Sequence, residues 1–169
     1  MRADFHHIFL VALLGTLPFL AMSCNSPTTP EEIATQFIHE SEKAFEERDI
    51  LGLKKLISTD YRDPLKRTAG DVVSIAAAYI RSSKSIYLYT DLDYAVAEEE
   101  RVRARVLTAF GARPISDPSI LGQIQADIYW FDIMLAKEHD GWKLHEAQWQ
   151  QAMVDDFFKD GSANEARDN

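Results

Sequence analysis

Cysteine is nearly absent from this sequence: among 169 residues there is one, Cys24. A lone cysteine excludes an intramolecular disulfide framework and any multi-cysteine zinc site. Positive charge is scarce too. Eighteen Lys and Arg oppose 27 Asp and Glu, for a formal net charge of -9. That balance argues against a nucleic-acid binder, whose affinity rests on a basic patch. No apolar run reaches the ~20 residues of a transmembrane helix. There is no glycine-rich phosphate loop. Outside the leader, His39, His139 and His145 are too scattered for a metal motif, so neither a metal nor another cofactor is expected. What remains is one ordinary domain, 46% hydrophobic, long enough to bury a core without staples.

The apolar cluster Ile8–Ala21 fits the ~7–15-residue core of a secretory signal. Leu20-Ala21-Met22-Ser23-Cys24 follows, and it resembles the lipobox of bacterial lipoproteins. The resemblance implies a signal peptide over residues 1–23, lipidation of Cys24 and a tether over 24–30. Two or more acyl chains hold a protein stably at a membrane, where one is marginal. Asn25 is not the aspartate that marks inner-membrane retention in enteric bacteria. The implied location is therefore the periplasmic side of the bacterial envelope, at the outer rather than the inner membrane. Arg2 and Asp4 cancel, so the net charge of -9 survives removal of the leader.

Thr29-Pro30-Glu31-Glu32 reads as a helix start, with Thr29 as cap and Glu32 closing a capping box. Ile33, Phe37, Ala44 and Phe45, with Ala34 and Ile38 beside them, form an apolar face at helical spacing. Arg48-Asp49 ends the pattern, and Ile50–Ile57 reads as a short second helix. Residues 58–69 read as a loop containing Tyr61-Arg62-Asp63-Pro64. Asp71 is expected to cap a third helix through about Ser82.

The pattern then changes to period two. Ile86–Ala97 and Arg101–Ala112 read as strands, then a loop or strand switch over 113–122. Ile124–Lys137 is a strand apolar on both faces. His139-Asp140-Gly141-Trp142 reads as a hairpin turn centred on Asp140-Gly141, with Trp142–Gln150 as the closing strand and Met153–Phe158 as a short helix. Helices followed by antiparallel strands make an α+β fold, with three N-terminal helices packed in a curved antiparallel sheet. The domain is expected over 31–153, followed by a polar tail over 154–169.

Four ordered features resemble the nuclear transport factor 2-like (SnoaL/ketosteroid isomerase-like) superfamily. They are Ala44-Phe45-Glu46-Glu47-Arg48-Asp49 followed by Leu53 and Leu56-Ile57, Asp60-Tyr61-Arg62-Asp63, the helix–strand order, and His139-Asp140-Gly141-Trp142-Lys143-Leu144. They span about residues 31–151. The resemblance implies a conical pocket, often a dimer, and no common chemistry.

Asp63-Pro64 resembles the Asp-Pro of the isomerase loop, whose aspartate shuttles a proton. A shielded carboxylate gains the basicity for that role. Asp132 lies two residues from the position of the isomerase's oxyanion-stabilising aspartic acid. A turn at Asp140-Gly141 puts it opposite Trp149, with Trp130, Met134, Ala136, His145 and Ala147 on the same face. The isomerase's oxyanion tyrosine aligns with Ser41, or with Phe45 or Phe37, so the match to a steroid isomerase stops there. Arg101, Arg103 and Arg105 read as a solvated, salt-bridged strand face.

The expected pocket comprises Tyr61, Asp63, Tyr79, Trp130, Asp132, His145 and Trp149. The leading expectation is a membrane-tethered, non-catalytic module that binds a small apolar ligand. The alternatives are an isomerase or cyclase with Asp63 as base and Asp132 as acid, and a homodimeric envelope scaffold.

Overall fold

The computed structural model describes residues 28–158, three helices followed by a four-stranded antiparallel sheet. Cys24, the leader and the last eleven residues lie outside the described part. Helix α1 spans Pro30–Glu46, α2 Ile50–Leu56 and α3 Ala69–Ser82. Strands β1 (Tyr87–Glu98), β2 (Arg101–Gly111), β3 (Ala126–Glu138) and β4 (Gly141–Gln151) lie in sequence order. Short 3-10 helices cover Pro118–Gln123 and Val154–Phe158.

The start of α1 is the expected capping box. The Glu32 N–H donates to the Thr29 hydroxyl, and the Thr29 N–H to Glu32 Oε2, each at 3.2 Å. Arg48 then takes a positive φ of 60°, which turns the chain out of the helix. The expected cap of α3 moves by one turn. Thr68 caps, and Asp71 closes a second capping box from inside the helix.

The sheet wraps around α1. Ile33, Ala34 and Phe37 pack against Ala95, Val102, Ala104, Val106, Ile133, Leu135, Leu144 and Ala147. A second cluster joins α1, α2 and α3 through Ala44, Leu53 and Ile80. A third lies on the back of the sheet: Leu107, Ala109 and Ile128 are covered by Leu121, with Ile115, Ile124, Val154 and Phe157 around them. The chain therefore folds its own segments, residues 112–125 and 152–158, over part of the outer face.

The last hairpin departs from the expected register. Its turn residues are His139 and Asp140, with Glu138 paired to Gly141, which starts β4 at φ 131°. A bulge follows, because Leu135 pairs with Leu144 but Met134 with Glu146, leaving His145 unpaired. An extra residue of this kind bends the strand. The turn and the bulge together place Phe131 opposite Trp149, and Asp132 opposite Gln148. The pairing thus differs by one residue from the expected one. A one-residue slip exchanges the two faces of a strand.

Candidate functional site

The concave face of the sheet and the three helices enclose a cavity of about 280 Å³. Alternation decides what the sheet contributes. Thr90, Thr108 and Tyr129 are cross-strand neighbours on β1, β2 and β3, and all three line the cavity. So do Val106, Phe131 and Trp149, the next row along. Helix α1 supplies Phe37, Ile38, Ser41, Glu42 and Phe45, and α3 supplies Val72, Ile75, Ala76 and Tyr79. Ile75 is 45% exposed, so the cavity meets water beside α3. Phe110 is an edge-on hub for Phe45, Tyr79 and Tyr129, with centroids at 5.7, 5.3 and 6.2 Å. Such pairs add ~0.5–1.5 kcal/mol each beyond burial.

Among the described residues Glu42 is the one charged residue in the lining. The Thr90 hydroxyl donates to its Oε1 at 2.6 Å. Ser41 Oγ is turned to its own helix and donates to the Phe37 carbonyl at 2.8 Å. The Tyr79 hydroxyl donates to Asp127 Oδ2 at 3.0 Å. Burial, and then the hydrogen bond and charge of Asp127, push the Tyr79 phenol well above its ordinary pKa, so it stays protonated. Sequence reasoning missed Glu42. Its signal was there, since it falls four residues after Ile38 and three before Phe45, on the apolar face of α1.

Of the residues expected in the pocket, Tyr79 and Trp149 line this cavity. Tyr61 and Asp63 sit beside it. Asp63 is buried, and both carboxylate oxygens are taken. The Arg67 N–H donates to Oδ1 at 2.9 Å, and Oδ2 accepts from Arg67 Nε at 2.6 Å and from the Tyr61 hydroxyl at 3.2 Å. Burial alone pushes the Asp63 carboxyl up, but the hydrogen bonds and charge of Arg67 outweigh it and hold the group below its ordinary range. That is the reverse of what a general base needs. The Tyr61 phenol, buried and beside this carboxylate, is raised to about 12. It also donates to the Ala147 carbonyl at 3.3 Å. The Arg67 guanidinium lies 3.8 Å from the centre of the Trp149 ring. Asp63, Arg67 and Trp149 thus form a brace behind the cavity wall.

Trp130 and Asp132 do not enter the cavity; they lie on the outer face of β3, because of the register just described. Trp130 packs in the back cluster, and the Arg105 guanidinium lies 4.6 Å from its ring centre. Arg105 Nε is 4.0 Å from both Asp93 and Asp132, too far for hydrogen bonds. Arg103 pairs with Glu98 at 2.6 Å, so this part of the face is the salt-bridged surface expected of the arginine stripe. His145, displaced by the bulge, contacts Glu138 Oε1 through Nε2 at 2.9 Å and does not line the cavity. Asp63 and Asp132 therefore do not converge on one enclosed space, and the acid–base pair has no common substrate position. Among the described residues no cluster of three metal-ligating side chains occurs.

A similar fold recurs in solved structures. A proposed dehydratase of the NTF2-like family from Streptomyces avermitilis superposes with a TM-score of 0.58 at 18% identity, over 75% of this chain and 99% of that one. The fold is NTF2-like. A ketosteroid isomerase-like protein from Erwinia carotovora atroseptica shares it, with a TM-score of 0.52 at 13% identity, over 74% of this chain and 99% of that one. Bd1075 of Bdellovibrio bacteriovorus matches with a TM-score of 0.55 at 16% identity, over 71% of this chain; the match spans 40% of Bd1075. No family model and no curated protein matches the sequence. Proteins of this fold thus include a proposed dehydratase and a ketosteroid isomerase-like protein. At these identities the likeness is one of fold, and function rests on the site.

Proposed function

We propose that the protein is a lipid-anchored binding module of the bacterial envelope, facing the periplasm, that holds a small apolar ligand in its NTF2-like cone without transforming it. The supporting observation is the cavity. It is about 280 Å³, lined almost wholly by aliphatic and aromatic side chains, with one carboxylate and a short row of hydroxyls. Small-molecule sites have this make-up, a mostly apolar wall with a few polar groups that orient the ligand. The acid–base alternative draws no support from Asp63, which Arg67 occupies, or from Asp132, which lies on the other face. A homodimeric scaffold would need a free sheet face, and the chain's own segments cover part of it.

Native mass spectrometry of the protein purified from its own membrane tests the binding reading. The expected result is a co-purifying small molecule of one mass; an unliganded dimer contradicts it. Anchoring through Cys24 is tested separately. Cys24→Ala moves the protein to the soluble fraction if the anchor is real, and unchanged membrane retention refutes it.

A further inference from the structure

The cavity is one-sided in charge. Among the described residues its lining contains no Lys, Arg or His, and one carboxylate, Glu42. That carboxylate is only a quarter exposed, and of its roughly four acceptor positions Thr90 fills one at 2.6 Å. The nearest basic side chain on its own helix is His39, whose Nδ1 lies 3.9 Å from Oε2 but which is 77% exposed. The Thr90, Thr108 and Tyr129 row runs across the floor away from Glu42. At the far side the Tyr79 hydroxyl donates its hydrogen bond to a second carboxylate, Asp127.

A ligand entering this space loses water from its polar end. An anionic head would be desolvated beside Glu42 with no cation to meet it, which is costly. A head that donates hydrogen bonds finds unfilled carboxylate lone pairs, and a charged donor forms the stronger bond. Thr90 already saturates part of Oε1, so the carboxylate is held in place before the ligand arrives.

From this we infer the ligand class, resting on the binding function proposed above: the cavity takes an apolar amine, its hydrocarbon body against the aromatic wall and its ammonium on Glu42. Glu42 is then the residue that sets specificity, by accepting from the amine and by repelling carboxylates.

Three ligands with one eight-carbon chain separate the head groups: octylamine, 1-octanol and octanoate, each titrated calorimetrically into the whole protein at neutral pH. The expected order is octylamine, then octanol, then octanoate, with at least ten-fold between the first and last. Glu42→Gln keeps an acceptor for Thr90 and is expected to bring amine and carboxylate within about three-fold of each other. Glu42→Lys is expected to reverse the order. Octanoate binding as tightly as octylamine to the unaltered protein, or a ten-fold gap that persists in Glu42→Gln, overturns the inference and leaves apolar binding standing. Binding of none of the three overturns the binding function itself.

Discussion

Strand β3 is apolar on both faces, and the two faces are apolar for different reasons. Tyr129, Phe131 and Ile133 face inward and line a cavity. Ile128 and Trp130 face outward and are covered by residues 112–125 and 152–158 of the same chain. One face borders a cavity; the other is partly covered by the chain's own segments. The contrast separates the function from the scaffold. A protein interior is close-packed nearly everywhere, so an apolar lining left unfilled on one face of a sheet, opposite a face that the chain's own segments partly cover, is where the proposed ligand would sit. It also shows that an apolar stripe on a strand reports burial, not what does the burying.

Truncation on the two faces sharpens the contrast. Leu107 is 1% exposed in the sealed back cluster. Leu107→Ala is expected to cost about 3 kcal/mol, the usual range for a leucine removed from a packed site, measured by denaturant unfolding. The brace comes next. Asp63→Asn breaks a buried, charge-assisted contact and is expected to cost about 2 kcal/mol. It has a pH signature. The Asp63 carboxyl is held below its ordinary range in the fold, so ionised Asp63 stabilises the native state at neutral pH. That contribution is lost as the pH falls from about 4, its unfolded value, through the lower folded value. Unfolding free energies below pH 4 should therefore converge for Asp63→Asn and the unaltered protein; parallel curves contradict the brace.

A smaller effect is expected on the cavity side. Leu88 lines the cavity and is partly exposed, so Leu88→Ala enlarges a space that is already there and is expected to cost about 1 kcal/mol. A cost equal to that of Leu107→Ala would erase the distinction between the faces. The smallest effect is at Asp132. Its carboxylate is 37% exposed and 4.0 Å from Arg105. Asp132→Asn is expected to change stability by less than about 0.5 kcal/mol and ligand affinity by nothing measurable in the same titrations.

The helix–sheet order, the strand pairing and the Thr29 cap were legible in the sequence because each is a local pattern: helical spacing, alternation, and a capping box. The face of β3 was not. It depends on a turn placed at His139-Asp140 rather than Asp140-Gly141, and on the bulge at His145. The preference of glycine for positive φ marks the neighbourhood of the turn without fixing its centre, since Gly141 adopts φ 131° as the first strand residue. The bulge owes its place to tertiary contacts. The His145 carbonyl accepts from the Arg62 N–H, and that of Leu144 from the Ser58 N–H. No local pattern announces them. The two carboxylates show the same divide. Asp63 drew notice through a familiar dipeptide, yet Arg67, four residues on, consumes it. Glu42 has no motif, and only its place on an apolar stripe marked it.

The central claim is that the concave-face cavity is the binding site, and filling it is the direct test. Ala76 on α3 lines the space and is partly buried, so Ala76→Phe puts a ring into it. The measurement is a fluorescence titration of both proteins with N-phenyl-1-naphthylamine, a neutral apolar probe, with the melting of each followed by circular dichroism. Saturable one-to-one binding to the unaltered protein is expected, with at least ten-fold weaker binding to Ala76→Phe and both proteins folded. Equal affinity in the two folded proteins would place the site elsewhere and contradict it.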